Sequence, residues 1–104
     1  MSGEVTRAVR DSTTDAGAVK EGDFLGLAGG RITIVQPTLP EAAVALLGSL
    51  VGDDAEIVTI IEGEGASAAV TRQLTEWLSE HHPEASAEVH HGGQPLYPYL
   101  FSVE

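Results

Sequence analysis

The sequence contains no cysteine among its 104 residues. A disulfide framework, a thiolate zinc site and a cysteine nucleophile are therefore excluded. Long hydrophobic runs are missing as well, since no stretch approaches the roughly 20 apolar residues that span a bilayer. The polar N-terminus lacks the basic start and apolar core of a signal peptide. Together these absences predict a cytoplasmic protein with no membrane-spanning segment.

Basic residues are scarce. Five Lys and Arg stand against 16 Asp and Glu, which gives a formal net charge of -11 at pH 7. Residues 37–104 hold 11 of the acidic residues and a single basic one, Arg72. A surface this negative repels phosphate backbones and anionic lipids, so nucleic-acid binding and membrane binding are disfavoured. The acidity is compatible with a basic partner surface and also with a purely solubilising role.

The hydrophobic pattern is clearest in one βαβ unit. The β-branched run from Ile57 to Ile61, bounded by acidic residues and glycine, is typical of a central strand buried on both faces. After a glycine turn, apolar residues spaced by three and four predict an amphipathic helix. It begins at Ala66, carries Trp77 on its buried face and ends at Pro83. Residues 86–91 then supply a parallel neighbouring strand.

The N-terminal segment predicts a strand and then a loop. Residues 4–10 alternate as a half-buried strand, with Val5 and Val9 on the same side. Residues 11–17 form an unbroken polar segment, rich in side chains that bond their own backbone. We therefore expect a loop there.

A hairpin and a helix follow. Two strand-like runs, 24–28 and 31–35, flank Gly29-Gly30, a pair suited to the positive φ angles of a two-residue hairpin turn. Thr38 and Glu41 then form a capping box that begins a helix. The outward face of this helix carries mostly small residues, which favours either a close contact with another element or no special role beyond helix propensity. These residues are Glu41, Ala45, Gly48, Ser49 and Gly52.

The predicted element order is β-β-β-α-β-α-β-β, with the last strand at residues 99–103. The first three strands form an antiparallel meander, and the crossovers place both helices on one face. The fold class is therefore α/β: one domain, a two-layer sandwich with a mixed six-stranded sheet and two helices on one face. The opposite face of the sheet either meets water or is covered by another domain of a longer polypeptide.

No stretch has the form of a catalytic centre. The turn at residues 63–65 lies where α/β sheets hold phosphates, but the full glycine pattern is absent and the flanking glutamates repel an anion. Within each of the pairs His81-His82 and His90-His91, the side chains point in different directions. One histidine of each pair with Glu88 leaves a metal site geometrically open. We assign no catalytic, cofactor-binding or metal-binding residue.

The most distinctive stretch is the loop at residues 92–97, which we call loop 92–97. Glycines, prolines and tyrosines concentrated there describe a rigid, aromatic-bearing loop whose exposed Tyr97 suits a binding surface. Residues 10–15, called loop 10–15, extend this predicted partner surface. The alternative is that Tyr97 folds back and caps the sheet. The candidate partner-binding residues are Arg10, Asp11, Ser12, Thr13, Asp15, Gly92, Gly93, Gln94, Pro95 and Tyr97.

Four segments resemble, in the same order, the ATP-binding subunit of bacterial fatty acid kinase, a relative of the dihydroxyacetone kinases. Residues 8–13 read Ala-Val-Arg-Asp-Ser-Thr, and residues 19–26 read Val-Lys-Glu-Gly-Asp-Phe-Leu-Gly. Residues 56–63 read Glu-Ile-Val-Thr-Ile-Ile-Glu-Gly, and residues 92–104 begin Gly-Gly-Gln-Pro-Leu-Tyr-Pro-Tyr and end Phe-Ser-Val-Glu. The resemblance spans nearly the whole chain.

The resemblance implies a C-terminal fragment of a multidomain kinase subunit that acts in phospholipid metabolism, specifically the second part of its DegV-like region. ATP and magnesium are then bound by an N-terminal domain and zinc by a middle domain, so no catalytic or nucleotide-binding residue carries over to these 104 positions. The isolated domain is expected to be no enzyme and to hold no cofactor. Its implied partners are the other domains of the parent chain and the fatty-acid-binding subunit.

The residues by themselves leave a second hypothesis open. The chain is then a small self-contained ligand-binding domain or enzyme that uses the loop from His91 to Tyr97.

Overall fold

The computed structural model describes residues 1–104 and contains eight strands and two helices. The strands are β1 (Ser2–Arg7), β2 (Ser12–Thr14), β3 (Gly17–Val19), β4 (Phe24–Ala28), β5 (Arg31–Gln36), β6 (Ile57–Glu62), β7 (Ser86–His91) and β8 (Tyr99–Val103). The helices are α1 (Leu39–Leu50) and α2 (Ala68–His81). No helix is both long and apolar enough to cross a membrane.

Six of the strands form one mixed sheet in the order β5-β4-β1-β8-β6-β7. All neighbours run antiparallel except β6 and β7, which are parallel and are joined by α2. The predicted α/β architecture, with its meander of β1, β4 and β5 and its βαβ unit, is confirmed. β8 lies between β1 and β6, so the C-terminal strand connects the two halves of the sheet.

The core lies between the sheet and the two helices. Val58 and Ile60 of β6 are fully buried there, together with leucines of both helices and alternate residues of β8. Ile57, Thr59 and Ile61 alternate with them on the opposite face of the sheet and are half-buried. The prediction that β6 is buried on both faces is therefore right for the helical face and wrong for the other, which has no helix over it.

Both helices begin with a side-chain cap. Thr38 Oγ1 accepts a hydrogen bond from the backbone N–H of Glu41 at 3.4 Å and donates to that residue's carboxylate at 2.9 Å. This confirms the predicted start of α1. The N-cap of α2 is Ser67, whose Oγ accepts from the backbone N–H of Val70 at 3.1 Å. The predicted start at Ala66 is therefore too early.

The N-terminal segment departs from the prediction in two ways. β1 ends at Arg7 because the backbone N–H of Ala8 then donates to the carbonyl of Asp23 at 2.7 Å instead of continuing the alternation. Ala8 is consequently buried and Val9 is 80% exposed, the reverse of the expected pattern. The expected loop at residues 11–17 contains β2 and the first residue of β3, paired as a short hairpin.

The small outward residues of α1 have a local explanation. A Cβ placed on Gly48 would lie 3.4 Å from the indole Cζ2 of Trp77, so α2 rests its tryptophan on this part of α1. Trp77 is itself half-buried, and its ring stacks on that of His81 with centroids 4.8 Å apart. The prediction that Trp77 is buried with the core leucines is therefore only partly right.

Candidate functional site

Loop 92–97 is fixed to the turn between β6 and α2 by backbone hydrogen bonds. The N–H of Gly63 donates to the carbonyl of Pro98 at 2.8 Å, and the N–H of Glu64 donates to the carbonyl of Gln94 at 2.9 Å. The side-chain amide of Gln94 also donates to the carbonyl of Tyr97 at 2.9 Å. The loop is therefore held at both ends and from within, as the rigid-loop prediction requires.

Two glycines make this packing sterically possible. A Cβ on Gly63 would lie 2.1 Å from the carbonyl oxygen of Tyr97 and 2.5 Å from Nε2 of Gln94. A Cβ on Gly92 would lie 2.6 Å from Cγ2 of Ile61. Only glycine fits at these positions, because every other residue type would displace the loop or the strand beneath it.

The same packing bears on nucleotide binding. The N–H groups of Gly63 and Glu64, which an open glycine turn would direct at a phosphate, are already bonded to the loop. Glu62 and Glu64 flank the turn with negative charge. The residues at this turn therefore do not fit the phosphates of ATP, and no step of nucleotide chemistry is derived from them.

Leu96 is the exposed apolar residue of the loop. Its side chain is 73% exposed, and its φ of 72° lies in the left-handed region that leucine rarely adopts. Its carbonyl accepts a hydrogen bond from Oγ1 of Thr6 at 2.7 Å, which ties the loop to β1. Tyr97 is half-buried, so the expectation of an exposed Tyr97 is corrected. The sequence contains no signal for a leucine in this conformation.

Loop 10–15 leaves the same edge of the sheet as loop 92–97, because β1 and β8 are adjacent and antiparallel. Arg10 and Asp11 are exposed near this edge, and Asp11 Oδ1 accepts from the backbone N–H of Glu21 at 2.8 Å. Asp15 lies at the tip of the β2–β3 hairpin, beside the Gly30 turn at the other end of β4 and β5.

The structure therefore separates the ten candidate partner-binding residues into two places. Loop 92–97 and the start of loop 10–15 share one edge of the sheet, whereas the hairpin tip projects along β5 toward the opposite end. Ser12 and Thr13 pair with β3 and are exposed between these two places.

A buried polar network lies next to the loop. Tyr99 and Thr71 share a hydrogen bond of 2.7 Å between their hydroxyls, and Tyr99 also donates to the carbonyl of Ser67 at 3.1 Å. Thr71 donates to Glu62, which also contacts the imidazole of His91. Burial raises the pKa of Tyr99 and outweighs these hydrogen bonds, which lower it. The network fixes β6, α2 and β8 to one another but presents no nucleophile.

The histidines do not assemble a metal centre, because no three His, Asp or Glu side chains converge. His90 lies 3.7 Å from Glu88, His91 contacts Glu62, and His81 stacks on Trp77. The open metal hypothesis, one histidine of each pair with Glu88, therefore finds no matching geometry.

Fold and site together describe a two-layer α/β module whose distinctive surface is a fixed, leucine-bearing loop. The family of FakA-like C-terminal domains, those of fatty acid kinase, matches residues 1–104. The chain belongs to this family, as the resemblance of its four segments predicted.

Similar proteins are found in bacteria. The chain is 45% identical over 103 residues to protein YloV of Bacillus subtilis and 43% identical over 103 residues to an uncharacterized protein of Staphylococcus haemolyticus. An uncharacterized protein of Staphylococcus aureus is 42% identical over the same number of residues. Each alignment covers 99% of this chain and 19% of the relative. The chain thus spans about a fifth of the length of these relatives.

Proposed function

We propose that this chain is a non-catalytic docking module of a fatty acid kinase, the C-terminal domain of a multidomain kinase subunit. Through loop 92–97 it binds the fatty-acid-binding subunit. The observation that carries the proposal is Leu96, an apolar side chain 73% exposed on a loop fixed to the turn beneath it. Family membership supports the setting, and the exposed leucine supports the surface.

The energetics of the loop favour binding over stability. Leu96 buries little of its surface and holds a φ of 72°, which for a residue with a Cβ costs about 1–2 kcal/mol. Strain that the surrounding packing maintains is found most often at binding and catalytic sites. Because the loop is already ordered by Gly63 and Gln94, docking loses little conformational entropy. An exposed aliphatic anchor on such a loop is suited to insertion into a partner's pocket.

The start of loop 10–15 gives this surface a polar rim. Arg10 and Asp11 are exposed at the edge from which loop 92–97 also leaves. Rim charges guide association and register more than they contribute to affinity. We assign Asp15, at the distant hairpin tip, no part in the same contact.

ATP and magnesium belong to another domain of the parent polypeptide in this proposal. The relatives are about five times longer than the chain, which leaves ample length for a nucleotide-binding domain. The isolated chain is therefore expected to give no heat on calorimetric titration with ATP and magnesium. Micromolar binding would favour the self-contained enzyme instead. No feature of the loop favours that alternative, since Gln94 and Tyr97 fill the space over the turn.

The decisive experiment measures binding between the full-length kinase protein and its fatty-acid-binding subunit. Leu96→Ala should weaken their affinity by about tenfold or more, a hot-spot effect, while the melting temperature stays the same. Val9→Ala is the matched control, because Val9 is 80% exposed but lies outside the loop. Tyr97→Ala separates roles, since a half-buried tyrosine that caps the sheet lowers the melting temperature instead.

Two results would contradict the proposal. One is unchanged affinity in Leu96→Ala. The other is an equal loss of affinity in Leu96→Ala and in the Val9→Ala control.

A further inference from the structure

A groove of about 540 Å³ lies between α1 and α2, on the side of the sheet that the helices cover. Its apolar surface is provided by Val44 and Ala45 of α1 and by the indole of Trp77. All three side chains are half-buried, so apolar surface remains open to solvent between the two helices. The groove is concave and partly apolar, which are the properties of a recognition site.

Three carboxylates surround this apolar surface. Glu41 lies on the α1 side, and Glu76 and Glu80 lie one turn apart on α2. All three are exposed, and no Lys or Arg of the chain forms an ion pair with any of them. Like charges one turn apart on a helix repel each other. A cation in the groove would relieve this repulsion.

We propose that this groove binds an arginine-bearing segment of another protein. A guanidinium placed over an indole gains cation–π attraction, and its planar donors match carboxylates better than an ammonium does. The aliphatic stem of arginine can cover Val44 and Ala45 while the head meets Glu76 and Glu80. Aromatic and acidic groups around one apolar groove are complementary to this side chain and to its charge.

The charge of the chain argues against other occupants. A second copy carries the same net charge of -11 and supplies only five basic residues, so it would be repelled on approach. Nucleic acid is repelled for the same reason. The groove lies on the helical side of the sheet, whereas loop 92–97 is fixed at the sheet edge. Separate variants can therefore test the two surfaces.

The test uses the 104-residue chain and a capped nine-residue peptide in which arginine and leucine alternate. Trp77 is the sole tryptophan, so its fluorescence reports on the groove alone. We expect a saturable change in its emission and no such change with a matched peptide that carries citrulline in place of arginine. The double variant Glu76→Gln with Glu80→Gln should bind the arginine peptide about tenfold more weakly, because the paired charges are lost.

The matched control is Glu56→Gln with Glu88→Gln, which removes the same charge from exposed positions outside the groove. This variant should keep the affinity of the unmodified chain within about threefold, since long-range attraction is screened by salt. Equal weakening in both variants would mean attraction by net charge alone and would overturn the site. Equal binding of the citrulline peptide would overturn it too. So would calorimetric binding that leaves the Trp77 emission unchanged.

Discussion

Thr71 and Tyr99 share a hydrogen bond of 2.7 Å between their hydroxyl oxygens, and this bond joins α2 to β8 inside the protein. Tyr99 is fully buried and Thr71 nearly so. The bond lies directly beneath the turn that holds loop 92–97. A change in either hydroxyl should therefore be detectable in the stability of the fold.

Thr71→Val tests this network. Valine keeps the shape of threonine but removes the hydroxyl that contacts Tyr99 and Glu62, so the free energy of unfolding should fall by about 1–3 kcal/mol. Thr75→Val is the control, because the Thr75 hydroxyl bonds the carbonyl of Arg72 at an exposed position. Urea denaturation of both variants measures the difference. Equal losses would mean that the buried network contributes no special stability.

Alkaline pH should weaken the fold through Tyr99. Burial raises its pKa above the ordinary value of 10.0, so the folded state holds the phenolic proton more tightly than the unfolded state does. This contribution is fully present below pH 10.0 and is lost as the pH rises toward the folded pKa. Denaturation curves from about pH 8 to pH 11 should therefore show falling stability above the unfolded value.

The variant Tyr99→Phe identifies the source of that fall. It should lower stability by about 1 kcal/mol at neutral pH, through its lost hydrogen bonds, and should lose stability less steeply in alkali. Tyr97→Phe should retain the steep fall. If the two variants follow the same alkaline profile, Tyr99 is not its cause.

Trp77→Ala should destabilise the fold moderately. A fully buried tryptophan costs about 3–5 kcal/mol to truncate. Trp77 is half-buried against Gly48 and His81, so we expect roughly 1–3 kcal/mol. Denaturant midpoints followed by far-ultraviolet circular dichroism measure this without the fluorescence that the variant loses. A loss as large as that of a core leucine would place the indole deeper than the structure does.

Two glycine substitutions should have opposite signs. Gly63→Ala places a Cβ 2.1 Å from the carbonyl of Tyr97, so the loop must move and stability should fall by about 2 kcal/mol or more. Gly48→Ala lies within a helix and meets Trp77 at an ordinary 3.4 Å, so it should raise stability by about 0.5–1 kcal/mol. Melting temperatures give the signs, and amide exchange at Gln94 and Tyr97 reports whether the loop is released.

Local signals account for the elements that the sequence predicted. Gly29 and Gly30 adopt φ angles of 61° and 78°, which is what a two-residue hairpin turn demands. The cap at Thr38 and the β-branched run of β6 are equally local, because neighbouring residues determine them. Such elements can be inferred without knowledge of the rest of the molecule.

The elements that were missed depend on distant partners. The β2–β3 hairpin is built from short, mostly polar strands, and of its residues only Val19 is buried, so no alternation marks it. The position of β8 between β1 and β6 follows from pairing across the chain. Leu96 acquires its positive φ from bonds to Thr6 and from the packing around Gly63. None of these contacts leaves a periodic pattern in the sequence.

The central position of β8 also governs the time course of folding. β1 and β6 have no hydrogen bonds to each other, and each pairs with β8, so Val5 meets Tyr99 near the other end of the sequence. During synthesis the meander and the βαβ unit can each take shape early, but nothing aligns them until β8 arrives. Closure of so long a loop is slow, so folding in milliseconds to seconds, rather than microseconds, is expected. Until then the facing edges of β1 and β6 remain open to pairing with other chains.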